Sequence, residues 1–167
     1  TWRERLEGWL DARRVAALQR RALSAPLPPA LLARAHLLPN AFLIGAAKSG
    51  TTTLADTLRR HPDLWFSPRK EPKFLGSTFD RGWDWYLDLF APGAGRRVRM
   101  EGSTKYTSGL AAFRRTPALA RRFCPEARIV YLVRHPLDRI VSQWRHVAGD
   151  RPWRHRDFAD LLRDPVG

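Results

Sequence analysis

The sequence is poor in cysteine, in lysine and in long apolar stretches. Its single cysteine, Cys124, cannot form an intramolecular disulfide, so nothing in the chain requires an oxidising compartment. The longest uninterrupted apolar stretch, from Ala41 to Ala47, is far shorter than the ~20 residues that a membrane-spanning helix needs. No signal-peptide pattern occurs at the amino terminus. These absences exclude a disulfide-stabilised scaffold and a transmembrane helix.

The composition is that of a globular domain with a strong positive charge. The chain has 167 residues, of which 44% are hydrophobic and 11% aromatic, and this length suits one domain. Its 30 basic and 16 acidic residues give a net charge of +14, which favours polyanionic ligands such as nucleic acid, a sulfated sugar or a phosphorylated cofactor. However, 26 of the basic residues are scattered arginines, which codon composition alone could produce. The charge therefore leaves the ligand open.

The chain divides into a helical leader and a body. Apolar residues recur near one face of a helix over 2–23, namely Trp2, Leu6, Trp9, Leu10 and Ala17. The stretch Pro26-Leu27-Pro28-Pro29 ends this helix, and a short helix follows up to His36. We predict an N-terminal helical leader over 1–39, packed on a body over 40–167.

Strands and helices alternate along the body with short connections. Apolar runs predict strands over 41–45, 63–66, 98–101 and 128–133, and helical periodicity predicts helices over 82–90, 117–123 and 136–148. A further helical segment contains Leu54, Ala55 and Leu58 and is stopped by His61-Pro62. This order predicts an α/β fold with a parallel sheet wrapped by helices. Ligands in such folds bind where strand carboxyl ends meet helix amino ends.

The first motif is a loop over residues 45–53, between the first strand and the following helix. Gly45 and Gly50 allow the backbone to turn so that its N–H groups point at an anion. The helix amino terminus, the Lys48 ammonium and the threonine hydroxyls add to the attraction. In a Walker A loop the lysine directly follows a glycine and precedes Ser or Thr, whereas here Gly50 lies two residues after Lys48. The alternative is an ordinary strand-to-helix turn.

The second motif follows the strand over 128–133. Arg134 ends that strand, and Ser142 lies eight residues later on the next helix. The periodicity places Leu137, Ile140, Val141 and Trp144 on the core side of this helix, with Arg139, Ser142 and His146 on the opposite face. An arginine suits a phosphate because its planar fork donates two parallel hydrogen bonds. Taken singly, Arg134 could be a surface ion pair and Ser142 a solvated residue.

Together the two motifs resemble those of the sulfotransferase superfamily, whose members use 3′-phosphoadenosine-5′-phosphosulfate (PAPS). The likeness runs from Asn40 to His146 and is closest to bacterial and heparan-sulfate-type carbohydrate sulfotransferases. It implies a P-loop-NTPase-like central parallel β-sheet flanked by helices. It also implies roles for the motif residues: the 5′-phosphosulfate is held by Lys48, Ser49, Gly50, Thr51 and Thr52, and the 3′-phosphate by Arg134 and Ser142.

The resemblance also implies catalytic and acceptor-binding residues. Glu71 matches the general base of the carbohydrate enzymes and would accept the proton of an acceptor hydroxyl, while Lys48 would stabilise the departing phosphate. The alternative is a solvated loop carboxylate beside cations. Lys73 stands where relatives carry His or Gln and is a candidate acceptor contact. Relatives carry Lys where this chain has Gly102, and Lys105 is the candidate substitute.

Family catalytic domains usually continue past the end of this chain, so we expect the C-terminal part to be missing and the cofactor-binding portion to be retained. The resemblance predicts sulfuryl transfer from PAPS to a hydroxyl or amine, most plausibly of a carbohydrate. It requires no metal, and the five histidines show no metal-ligand spacing. The alternatives are a P-loop nucleotide kinase and a non-catalytic polyanion-binding module. We expect a cytoplasmic, bacterial protein with neither membrane nor nucleic acid as partner.

Overall fold

A computed structural model describes residues 2–148 of the chain. The strands are β1 (Ala41–Gly45), β2 (Leu64–Phe66), β3 (Val98–Gly102) and β4 (Arg128–Tyr131). The helices are α1 (Trp2–Ser24), α2 (Pro29–Ala33), α3 (Thr51–Leu58), α4 (Gly82–Asp88), α5 (Thr116–Phe123) and α6 (Pro136–Ala148). Short 3₁₀ turns cover Ala35–Leu37, Phe79–Arg81, Ala91–Gly93, Thr104–Thr107 and Ala111–Phe113. In the described range, no helix combines the length and apolar character needed to cross a membrane.

The four strands form one parallel sheet in the order β2-β3-β1-β4. β1 lies between β3 and β4, with Phe42 opposite Glu101 on one side and Ile129 on the other. The predicted α/β fold with a central parallel sheet is therefore confirmed. Because all strands run the same way, the loops that follow β1, β3 and β4 meet at the same edge of the sheet.

The two faces of β1 belong to different parts of the core. Ala41 and Leu43 face a small cluster that contains Ala55 of α3, whereas Phe42 faces a larger one. This alternation is the period of two expected for a strand covered on both faces. The larger cluster is rich in aromatic rings: Phe42, Phe74, Phe79, Trp83, Tyr86, Phe90, Tyr106, Phe113 and Phe123. Within it, Phe74 stacks on Tyr86 with ring centroids 4.1 Å apart, so the loop after β2 is fixed to α4.

The leader helix α1 packs on the body through its carboxyl half. Val15 and Gln19 are buried, and Gln19 Nε2 donates to the carbonyl oxygens of Gly76 at 2.9 Å and Ala112 at 3.2 Å. The predicted face is wrong where it can be compared, because Leu10 is 52% exposed and Ala17 is exposed. The contact face follows the i, i+4 pair Val15 and Gln19 instead. The side chains of the other predicted face residues, Trp2, Leu6 and Trp9, lie outside the described part.

The prediction for the last strand and helix is also partly wrong. β4 ends at Tyr131 rather than at residue 133, and Leu137 and Ile140 of α6 are 66% and 44% exposed instead of buried. β4 is an edge strand that pairs only with β1 among the described strands, so one side of β4 and of α6 is not covered by residues 2–148. Val141 and Trp144 are half-buried, as an inward face requires.

Candidate active site

The anion loop (residues 45–53) joins β1 to α3 through a left-handed turn. Lys48 has φ 67°, and Gly50, directly before α3, has φ 88°. Glycine adopts this conformation without steric cost, and it directs the chain into the helix so that the first N–H groups of α3 are free to bind an anion. Ser49 Oγ is buried and lacks a hydrogen-bond partner in the described part of the chain. An unpaired buried hydroxyl beside a helix amino terminus fits a phosphate-type ligand.

A cleft of about 540 Å³ opens above this loop at the carboxyl edge of the sheet. Most of the residues proposed from the sequence line it: Lys48, Gly50, Thr51, Thr52, Glu71, Lys73, Lys105, Arg134 and Ser142. The remaining lining residues, to which the sequence analysis assigned no ligand-binding role, are Ala47, Lys70, Thr104, Gln143 and His146. Ser49 belongs to the loop but does not line the cleft. The roles assigned to all these residues stay predictions.

Arg134 connects the two sequence motifs directly. Its Nη1 donates to the carbonyl oxygen of Lys48 at 3.3 Å, although 86 residues separate the two in the chain. Ser142 is half-buried and faces the cleft from α6. Arg139, predicted on the same face as Ser142, instead lines a neighbouring pocket together with Arg134 and Lys105. The helix therefore directs Ser142 and Arg139 to two different pockets.

Glu71 lies on the base loop (residues 67–75), between β2 and the aromatic cluster. Its Oε1 accepts a hydrogen bond from Thr104 Oγ1 at 2.6 Å. The Lys70 ammonium lies 3.7 Å from Oε1, and the Lys73 ammonium lies 3.9 Å from Oε2. The carboxylate is 24% exposed, so it is held in the cleft rather than freely solvated. This position makes Glu71 available to a ligand while its orientation is fixed.

The backbone of the base loop is held in an unusual conformation. Glu71 has φ 60° and Lys73 has φ 58°, a region that costs an L-residue about 1 kcal/mol or more. Two hydrogen bonds to the segment after β3 fix it: the Glu71 N–H donates to the Gly102 carbonyl at 2.7 Å and the Lys73 N–H to Ser103 Oγ at 3.0 Å. Left-handed non-glycine residues that persist in this way are concentrated at functional sites.

All four lysines of the chain line this one cleft: Lys48, Lys70, Lys73 and Lys105. Among the arginines of residues 2–148, only Arg134 does so. Among the described residues that line the cleft, Glu71 is the single carboxylate, which leaves a marked excess of positive charge. Our reading of the charge as scattered missed this concentration. The signal available in the sequence was that each of the four lysines falls in or beside one of the candidate motif segments.

Gly102 occupies the position at which the resemblance places a lysine. A Cβ built on Gly102 would lie 2.7 Å from Phe66 Cζ, so a side chain there would require the phenylalanine to move. The same segment brings Lys105 to the wall of the cleft three residues later. Lys105 is therefore the lysine that this segment brings to the cleft, and its role as the substitute stays a prediction.

Several known proteins of one family are similar to this chain. A family model described as the sulfotransferase family matches residues 84–166. Human heparan sulfate glucosamine 3-O-sulfotransferase 3A1 is 31% identical over 133 residues, which cover 77% of this chain and 32% of that protein. Bifunctional heparan sulfate N-deacetylase/N-sulfotransferase 1 of Caenorhabditis elegans is 30% identical over 129 residues, covering 74% of this chain and 14% of that protein.

A solved sulfotransferase structure shares the fold of this chain. The sulfotransferase of Alicyclobacillus acidocaldarius superposes with a TM-score of 0.63 at 29% sequence identity, over 75% of this chain and 56% of that one. The chain spans about a third of the length of the 3-O-sulfotransferase that it matches. The family match, the curated relatives and the shared parallel-sheet fold lead to one assignment: this chain belongs to the sulfotransferase family.

Proposed function

We propose that this chain binds PAPS and transfers its sulfuryl group to a hydroxyl or amine of a carbohydrate. The observation that carries the proposal is the convergence of the anion loop, Glu71 and Arg134 on one cleft. These groups come from three separate parts of the sequence, and the hydrogen bond from Arg134 to Lys48 joins two of them. If the anion loop only bound an anion, the cleft would not need the Glu71 carboxylate on its other wall.

The residues present fit the two phosphate-bearing ends of PAPS. The Lys48 ammonium, the unpaired Ser49 hydroxyl and the amino terminus of α3 would hold the 5′-phosphosulfate. Arg134 and Ser142, on the α6 side of the same cleft, would hold the 3′-phosphate. PAPS, when bound, supplies the electrophilic sulfur and a stable leaving group.

In this proposal Glu71 is the general base. Thr104 donates to Oε1, which leaves Oε2 to accept the proton of the attacking hydroxyl. Lys48 places its positive charge where the leaving phosphate becomes more negative, and this interaction is stronger in the transition state than in the ground state. Thr104 and Lys73 would keep the carboxylate oriented while the acceptor binds.

The charge of the cleft favours an acidic acceptor. Lys70 and Lys73 both lie within 4 Å of Glu71, and Lys105 lines the same wall, so three ammonium groups surround the expected position of the acceptor. Such a surface attracts carboxylated or sulfated saccharides over neutral ones. We therefore propose an acidic glycan resembling heparan sulfate, the polymer named for the two curated relatives above.

Calorimetric binding of adenosine 3′,5′-bisphosphate and of ADP, each at two salt concentrations, tests the proposed cofactor. We expect the bisphosphate to bind tighter, and Arg134→Ala to weaken it about 10–100-fold, because a charge-assisted pair contributes ~1.5–3 kcal/mol. Arg128→Ala is the matched control, since Arg128 is an exposed arginine at the opposite end of β4. Its binding of the bisphosphate should match that of the wild type.

The other outcomes correspond to other functions. A preference for ADP would favour a nucleotide kinase. Equal binding of both nucleotides that falls steeply with salt would favour a polyanion-binding module without catalysis. Either result would contradict the proposal, whether or not sulfuryl transfer is measured.

A further inference from the structure

We propose that the buried carboxylate of Glu101 positions the base loop, through the hydroxyls of Ser103 and Tyr106. The inference rests on the proposed function, because it gains a catalytic meaning only if Glu71 is the base. Glu101 is the next-to-last residue of β3, is fully buried, and is not among the described residues that line the cleft. It would be a positioning residue for the reaction.

Two hydroxyl groups donate to this carboxylate, and a third lies near it. Ser103 Oγ donates to Oε1 at 2.7 Å and Tyr86 Oη donates to Oε2, while the Tyr106 hydroxyl lies close enough to influence the pKa of the carboxyl group. We call these four residues the Glu101 network. Burial raises the pKa of both tyrosines well above the usual value of 10, so both phenols keep their protons. Burial also raises the pKa of Glu101, while the three hydroxyls oppose that shift.

Two of the three hydroxyls also accept a hydrogen bond from the base loop. Ser103 Oγ accepts from the Lys73 N–H and Tyr106 Oη from the Leu75 N–H, each at 3.0 Å. The Ser103 hydroxyl has one proton, and donating it to Glu101 turns a lone pair toward the Lys73 N–H. The carboxylate therefore fixes the direction of this bond, and the Tyr106 hydroxyl beside it holds the Leu75 N–H.

These bonds act where the backbone most needs support. Lys73 has φ 58° and Glu71, two residues earlier, has φ 60°, so neither conformation is favourable by itself. Between Ser103 and Tyr106 the chain turns Thr104 toward Glu71, whose Oε1 it contacts at 2.6 Å. The segment after β3 thus fixes both the backbone and the side chain of the proposed base.

Tyr86 provides a matched control within the same network. It donates to the same carboxylate, but its oxygen accepts no N–H from the base loop in the described structure. Tyr106→Phe and Tyr86→Phe both remove one hydroxyl beside the same carboxylate and keep the ring, so the stacking of Tyr86 on Phe74 is retained. Of the two hydroxyls, only that of Tyr106 accepts an N–H from the loop in the described structure. A general loss of stability would affect both variants.

The test measures amide hydrogen exchange of Lys73 and Leu75 by NMR on the whole chain. We expect Ser103→Ala to speed exchange at Lys73, and Tyr106→Phe at Leu75, by about tenfold or more, with Tyr86→Phe within twofold of wild type. In sulfuryl transfer to heparan sulfate, Ser103→Ala and Tyr106→Phe should lower kcat about tenfold and leave the acceptor KM unchanged. Equal exchange rates in the two Tyr→Phe variants would overturn the inference.

Exchange requires neither PAPS nor an acceptor, so it decides this inference even if the wild type shows no turnover. If amide exchange at Lys73 and Leu75 becomes faster in Ser103→Ala and Tyr106→Phe while kcat is unchanged, the positioning of the loop would still be supported. This result would contradict Glu71 as the base, and hence the proposed mechanism.

Discussion

The two walls of the cleft are built in different ways. The anion loop takes its shape from its own residues: a glycine at φ 88°, a lysine at φ 67° and the helix that begins at Thr51. The base loop takes its shape from partners about 30 residues away, since Ser103 and Tyr106 hold its backbone and Thr104 holds Glu71. The anion loop is thus shaped mainly by its own residues, with added support from Arg134 at the Lys48 carbonyl, whereas the base loop is shaped mainly by tertiary contacts.

This difference predicts which property each wall controls. The anion loop offers N–H groups and a positive charge to a phosphate, so changes there should alter ligand binding as well as turnover. The base loop offers a single oriented carboxylate, that of Glu71, so replacing this carboxylate should alter turnover and leave cofactor binding unchanged. The following substitutions separate the two properties, and we place the largest expected effect first.

Glu71→Gln should lower kcat about a thousandfold, because the amide cannot accept the acceptor proton. Binding of adenosine 3′,5′-bisphosphate should stay unchanged in calorimetry. Glu126→Gln is the control, since Glu126 is exposed and does not line the cleft. A kcat within threefold of wild type would remove Glu71 from the mechanism.

Lys48→Ala should lower kcat about a hundredfold, a loss typical of removing one group that stabilises developing charge. In contrast to Glu71→Gln, it should also lower the affinity for adenosine 3′,5′-bisphosphate in the same calorimetric titration. If turnover falls while affinity is retained, the two walls do not differ in the way that we describe.

Gly50→Ala should lower the free energy of unfolding by about 1 kcal/mol, because an alanine at φ 88° is strained although no atom blocks its Cβ. Gly95→Ala is a suitable comparison, since that glycine also has open space around it but no left-handed φ. Urea denaturation of both variants measures the difference. Equal stabilities would show that the turn is not constrained locally.

Glu101→Gln should change how stability depends on pH, which is the smallest effect that we expect. Because burial raises the pKa of Glu101 above 4.5, the folded chain holds this proton more tightly than the unfolded chain. The stability that protonation contributes is complete at acidic pH and is lost as the pH rises through the folded-state pKa. The wild type should therefore lose more stability than the variant between pH 4.5 and neutral pH, as followed by urea titration.

Most of the fold could be predicted from the sequence because its signals are local. The apolar run of β1 and the Gly and Lys residues after it lie next to one another, so strand, turn and helix could be inferred together. Glu71 could be predicted as the candidate base from the resemblance of its segment to that of the carbohydrate enzymes. Its left-handed backbone and its contact with Thr104 could not, because both depend on residues that are distant in sequence.

The errors in the prediction have a physical cause as well. Periodicity shows which residues share a helix face but not which face is covered. Leu137 and Ile140 share a face of α6 with the half-buried Val141, yet both are exposed because β4 is an edge strand in the described sheet. For α1, the periodic pattern extended to Leu10 and Ala17, whereas burial is decided by contacts at Val15 and Gln19.

Because the lysines are concentrated in the cleft, reagents that modify primary amines can be used to probe this site. An acylating reagent that reacts with primary amines can modify lysine but not arginine, so all four of its side-chain targets report on one place. A bound nucleotide or glycan would protect the four lysines together from acylation. The many arginines elsewhere would not react with the reagent. Occupancy could then be followed as a change in the intact mass of the protein, with an unlabelled ligand.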